Sequence, residues 1–176
     1  QYNGKLINRT VLPAHAVLAK VGGSGNAFSV GGTNYAIEPE AEYATEEAGA
    51  WRLEVSPAAA SETDLFLNVM QVMDASSALP VLPTTAIDSP LLAGVQIKDR
   101  VVLFSKSGMP LGGTVTVTLP AQSASLQVLV ADLQEGTWTV RKRGTGGPIE
   151  DVVSAGGGTL YFVASAGGVY DLQRQQ

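Results

Sequence analysis

The sequence holds one histidine, His15, set between Pro13-Ala14 and the apolar run Ala16-Val17-Leu18. As a general base or metal ligand it needs a partner, and the chain offers no second His and no Cys. A structural role at the head of a strand is the reading it supports. A Ser-His-Asp triad would draw on Asp88, Asp132 or another aspartate and on a serine displayed on a sharp turn. Ser24, in Gly22-Gly23-Ser24-Gly25, lacks the Gly-x-Ser-x-Gly pattern of a nucleophile elbow. Nor do these glycines form a phosphate loop, because Asn26-Ala27-Phe28-Ser29-Val30 and a second Gly-Gly follow where a helix should begin. They read as a β-turn. Glu38, Glu40, Glu42, Glu46 and Glu47 lie close together but without the Asp-x-Asp-x-Asp-Gly spacing of a calcium loop, so they read as a solvated acidic loop. No catalytic residue, metal ligand or cofactor is assigned.

Sugar-binding surfaces stack pyranose rings on exposed aromatic side chains, which brings Tyr2, Tyr35, Tyr43, Trp51, Trp138, Tyr161 and Tyr170 into view. In Trp51-Arg52-Leu53-Glu54-Val55 the period of two puts Trp51, Leu53 and Val55 on one face, which reads as core. Trp138 shares a face with Val140, either inward or at an edge. The candidates for a carbohydrate platform are Trp138, Tyr161 and Tyr170.

The elements that must position these residues are strands. Helical periodicity is nearly absent, and 20 glycines and 9 prolines punctuate the chain. Alternating or β-branched runs occupy 5–12, 16–21, 51–56, 64–73, 95–98, 101–105, 114–119, 125–131, 137–142, 149–154, 159–164 and 169–173, about a dozen in all. In Thr114-Val115-Thr116-Val117-Thr118-Leu119 the alternation places Val115, Val117 and Leu119 on a buried face and the threonines on a wet one, the mark of an antiparallel sheet. The last two runs flank Ala166-Gly167-Gly168 and read as a C-terminal hairpin. Pro80, Pro83 and Pro90 make residues 74–92 a Pro-rich surface connection. The expected fold is all-β, an antiparallel β-sandwich forming one domain over 1–176.

At 176 residues, and with 45% hydrophobic against 15% charged residues, the chain can bury a core and is not disordered. A net charge of −5 offers no basic field for nucleic acid. The longest apolar stretches fall short of the roughly 20 residues of a membrane helix. The sequence opens Gln-Tyr-Asn-Gly without an initiator Met or a leader, so it reads as a mature chain, an excised fragment or a proteolytic product whose start lies upstream.

Three stretches carry a resemblance: Gly4-Lys5-Leu6-Ile7-Asn8-Arg9-Thr10-Val11-Leu12-Pro13; Lys20 to Tyr35 with its two Gly-Gly pairs; and Trp51 to Pro57 leading to Asp64-Leu65-Phe66-Leu67-Asn68-Val69-Met70-Gln71. Over about the first 75 residues their order and spacing resemble the C-terminal part of heparinase II/III-like polysaccharide lyases, heparinase II type. The resemblance implies a modular enzyme with an α/α toroid, a central two-layer β domain and a C-terminal β-sandwich, acting by β-elimination on uronic-acid polysaccharides. The Tyr and His bases and the His-rich metal site would come from the toroid and the central domain. None of those motifs matches here, and His15 lies outside them.

The resemblance therefore implies a noncatalytic C-terminal β-sandwich, periplasmic or secreted, partnered by the catalytic domains of the parent lyase and by acidic polysaccharide. The alternative is an independent carbohydrate-binding or surface-adhesion module. A third class, a small β-rich hydrolase, finds no constellation of residues. An exposed apolar patch favours the first class. A concave face carrying Trp or Tyr beside Arg favours the second.

Overall fold

The computed structural model describes residues 3–35, 51–144 and 151–175, with the backbone alone for 151–154. The acidic residues at 38–47, together with Tyr2 and Tyr43, lie outside the described residues. The chain divides into two compact units, Arg9–Val69 and the combination of Gln1–Asn8 with Met70–Gln176.

Every regular element described is a strand. They are β1 (Gly4–Leu12), β2 (Val17–Gly22), β3 (Ser29–Val30), β4 (Thr33–Asn34), β5 (Trp51–Ser56), β6 (Leu67–Asp74), β7 (Thr84–Asp88), β8 (Leu92–Ile97), β9 (Arg100–Ser105), β10 (Thr114–Leu119), β11 (Leu126–Val130), β12 (Gly136–Lys142), β13 (Asp151–Ala155), β14 (Leu160–Ala164) and β15 (Gly168–Arg174). β1 and β6 form a two-stranded sheet.

In the smaller unit β2 pairs antiparallel with β5, and β3 with β4. The glycine-rich stretch after β2 is a turn, closed by the Asn26 amide on the Gly23 carbonyl at 2.9 Å. Gly23 is required there twice over. Its φ of +92° lies in the left-handed region, and a Cβ would stand 2.5 Å from the Trp51 ring. Trp51 and Leu53 share a face, since they pair with Gly22 and Lys20, yet both are exposed. The expected core role of Trp51 is corrected accordingly: a period of two shows which residues share a face but not whether that face is covered.

The larger unit holds the β-sandwich. One sheet has the order β14-β11-β9-β8-β7 and the other β10-β15-β12-β13. One core cluster takes Ile87, Leu92, Leu103, Val128 and Phe162 from the first sheet and Val117, Trp138, Val140, Tyr170 and Leu172 from the second. Burying each large apolar side chain contributes on the order of 2–3 kcal/mol, and that drive holds two amphipathic sheets face to face. β10 keeps the expected alternation, with Val115, Val117 and Leu119 buried.

Three features differ from expectation. β14 and β15 are not a hairpin: β14 pairs with β11, and β15 with β10 and β12, in the opposite sheet. The link between them crosses the sandwich, tied by the Gly167 amide on the Gln122 carbonyl at 2.9 Å. β9 and β11 are parallel within an otherwise antiparallel sheet, because the chain passes through β10 in the other sheet and returns in the same direction. The Pro-rich stretch contains β7, a β-branched run bounded by Pro83 and Pro90 that pairs with β8 at the sheet edge, where proline is tolerated.

Candidate functional site

Each sheet of the sandwich turns one face to the core and one outward, and the two outward faces differ in chemistry. On the five-stranded sheet the register aligns Val95, Val102, Leu129 and Tyr161 in one row across β8, β9, β11 and β14. Phe104 and Val163 extend this face along β9 and β14. Phe104 is 40% exposed, Leu129 36%, Tyr161 49% and Val163 47%, whereas Val95 is already buried and Val102 half-buried, so the open apolar surface lies on β9, β11 and β14. Alternation predicts a polar wet face, so an apolar one marks a surface suited to a partner.

The outward face of the four-stranded sheet is polar. β10 supplies Thr114, Thr116 and Thr118, β15 supplies Asp171 and Gln173, and β12 supplies Thr137, Thr139 and Arg141. Asp171 sits between Thr116 and Arg141 in one row. Arg143, just past β12, reaches back in a fork, its Nε 2.6 Å from Asp171 Oδ2 and its Nη2 2.8 Å from Oδ1. Thr116 Oγ1 donates to Asp171 Oδ1 at 2.6 Å and accepts from Arg143 Nη2 at 3.2 Å. The fork from Arg143 holds the Asp171 carboxyl below its usual range against the opposing pull of burial, with help from Thr116 and the field of Arg141. The same bond raises Arg143.

Beside this network Thr114, Thr139, Arg141, Asp171, Gln173 and Gln175 line a groove of about 360 Å³. Thr139 Oγ1 donates to the Gln173 carbonyl at 3.3 Å and accepts from Gln175 Nε2 at 3.1 Å. Sequence reasoning missed this surface. The alternation Thr137-Trp138-Thr139-Val140-Arg141-Lys142-Arg143 carries the signal, since a buried Trp138 puts both arginines with the threonines on the outward side.

The three residues proposed for sugar stacking are placed differently from one another. Trp138 and Tyr170 are 0% exposed, and the structure corrects their assignment: neither ring has a face open to a sugar. Trp138 Nε1 donates to the Gln134 carbonyl at 3.0 Å and Tyr170 Oη to the Ala166 carbonyl at 2.8 Å, so both are satisfied core residues. Tyr161 stands on the apolar outer face, its Oη donating to Gln127 Oε1 at 3.2 Å. The structure does not bring the three together as a platform.

His15 is exposed in a turn with φ of 62°. Asp88 pairs with Lys106, and Asp132 accepts the Ser105 amide at 3.2 Å, so both carboxylates serve local structure. Among the described residues no group of three His, Cys, Asp or Glu is placed to hold a metal ion, and no helix is long and apolar enough to cross a membrane.

Fold and faces together define the class: a two-sheet β-sandwich with an apolar and a polar outer face. Comparison with family models matches residues 86–174 to the heparinase II C-terminal domain, and the chain belongs to that family. The match runs from β7 through β15 and so takes in both sheets of the sandwich. It covers a different part of the chain from the first 75 residues, whose words carry the resemblance described above. No curated protein matches the chain.

Proposed function

We propose that the chain is a noncatalytic C-terminal β-sandwich of a heparinase II-like polysaccharide lyase, and that it packs on the catalytic domains of that enzyme. The observation that carries this reading is the exposed apolar set Phe104, Leu129, Tyr161 and Val163 on the outward face of the five-stranded sheet. An isolated domain gains nothing from apolar side chains there, whereas a domain that leans on another buries them. The membership of the family supports the lyase assignment, and that class of enzyme supports a periplasmic or secreted setting. The independent carbohydrate-binding or adhesion module draws less support, because two of its three proposed aromatic contacts are in the core.

Two measurements test this reading. The purified chain, mixed with heparan sulfate or alginate, should yield no ultraviolet-absorbing unsaturated product, and robust product would overturn the noncatalytic role. Co-expressed with the catalytic domains of a heparinase II-like lyase, the chain should co-purify with them. Leu129→Lys with Val163→Lys should abolish that association while leaving the melting temperature of the chain nearly unchanged. Association indifferent to both lysines would remove the apolar face from the argument.

A further inference from the structure

We propose that the sandwich accepts one extended polypeptide strand from outside this chain along the free edge of β10. This edge is separate from the apolar outward face, so the inference stands apart from the docking reading. β10 ends the four-stranded sheet and, among the described residues, pairs only with β15. Antiparallel pairing alternates the direction of the backbone groups along a strand. The Arg174 amide bonds the Gly113 carbonyl at 2.9 Å, so Val115, Val117 and Leu119 direct their N–H and C=O toward β15, and Thr114, Thr116 and Thr118 direct theirs away. The strand carries no charge, proline or bulge, the devices that blunt an exposed edge. By contrast β7, the edge of the other sheet on this side, is flanked by Pro83 and Pro90 and carries Asp88.

The place beside β10 is one strand wide. At the opposite side of the sandwich β13 and β14 lie against each other, and counted from them the sheet of four ends one strand before the sheet of five. Gln96 of β8 donates from Nε2 to Gln122 Oε1, just past β10, at 2.7 Å, which puts β8 across from the end of β10. β7 therefore overhangs. Between it and β10 runs a groove of about 540 Å³, lined by Ala86, Ile87, Thr118, Leu119 and Gly167 among others. A strand laid there pairs its backbone with Thr114, Thr116 and Thr118, turns alternate side chains inward to Ile87 and Leu119, and turns the rest outward beside the threonines. Its inward side chains are apolar and its outward ones polar. A second copy does not fit by the same edge, because each copy's overhanging β7 would occupy the space of the other's across the two-fold axis. The occupant is a lone extended segment and not another sheet.

The probe is a capped synthetic peptide that repeats the β10 sequence Thr-Val-Thr-Val-Thr-Leu between lysines added for solubility. Laid antiparallel on β10, its threonines meet threonines on the outward face and its valines meet valines on the inward one. It is titrated to millimolar concentration into the isotope-labelled 176-residue chain, and amide hydrogen exchange is read residue by residue. The Thr114, Thr116 and Thr118 amides should exchange fast in the chain alone and slow by about tenfold or more with peptide, while those of Val115 and Val117 are slow in both. A peptide N-methylated at its threonines should lose this effect, because those amides face β10, and one N-methylated at its valines should keep it. Leu129→Lys with Val163→Lys, on the other sheet, should leave binding intact. The proposal is overturned if the three threonine amides are already slow in the chain alone, if the peptide leaves them fast, if the two methylated peptides act alike, or if the two lysines abolish binding.

Discussion

Phe162 and Tyr170 stand on opposite sheets with ring centroids 6.0 Å apart and planes inclined by 46°, although only seven residues separate them in sequence. The short link between β14 and β15 crosses from one sheet to the other, and this ring pair packs across the core directly behind it. Tyr170 adds a second tie, because its hydroxyl bonds back to Ala166 within the link. The crossing is thus held by a contact at each end.

Tyr170→Phe keeps the ring and deletes the tie. Loss of a single hydrogen bond to a half-buried carbonyl should cost about 1 kcal/mol. Tyr170→Ala removes the ring contact and leaves a cavity, at about 3–5 kcal/mol. Urea unfolding followed by far-ultraviolet dichroism reads both, and equal losses would show that the ring pair contributes nothing.

Two glycines should resist substitution for reasons of space. A Cβ on Gly167 would lie 2.0 Å from the Pro120 carbonyl oxygen, and one on Gly94 would lie 2.1 Å from that of Val102. Both obstacles are backbone, so strands or links must shift. Gly156 has open space around it. Gly167→Ala and Gly94→Ala should each lose about 1–3 kcal/mol in denaturant unfolding, against a few tenths for Gly156→Ala. Three similar values would show that the close approaches do not constrain the fold.

The strands of the sandwich were legible wherever alternation was strict, as in Thr114 to Leu119, because a period of two is a local property of the backbone. What stayed hidden depends on partners remote in sequence. β14 followed by three small residues and β15 has the local signature of a hairpin, and only the placement of β10 and β11 sends the second strand to the other sheet. Trp138 and Tyr170 look like stacking surfaces or core residues equally well until the opposite sheet is present. The Arg143-Asp171 fork was illegible for the same reason, since it joins β15 to the end of β12 across 28 residues.

One domain over 1–176 stands as a proposal. It requires a single calorimetric transition with calorimetric and van't Hoff enthalpies in agreement. Two transitions, one of them retained by a chain of residues 70–176, would replace it with two separately folding units.

The two tryptophans give the burial pattern a direct optical test. Trp138 is 0% exposed and Trp51 52%, with the Lys20 ammonium 4.2 Å from the Trp51 ring centre. Trp51→Phe should leave a blue-shifted emission that acrylamide barely quenches. Trp138→Phe should leave a red-shifted, readily quenched one. A blue-shifted, protected signal from Trp51 would mean that its face is covered, which would reinstate the core role its spacing implied.

The Asp171 carboxyl sets an acid limit whose sign follows from its lowered pKa. In the unfolded chain an aspartate titrates near about 3.9. Because the folded value is lower, the ionised, Arg143-bonded form stabilises the native state fully above the unfolded value. As pH falls below it the unfolded chain takes up the proton first, and the contribution drains away until pH reaches the folded value. Asp171→Asn keeps the shape and removes the charge. The variant should therefore melt below the parent at pH 7, with the gap narrowing steadily at more acid pH and shrinking also in high salt, which screens an exposed pair. Arg143 stays protonated throughout this window, so the slope belongs to Asp171. Melting curves of parent and variant across the acid range read the gap directly, and a gap independent of pH would remove the Asp171 ionisation from the account of this face.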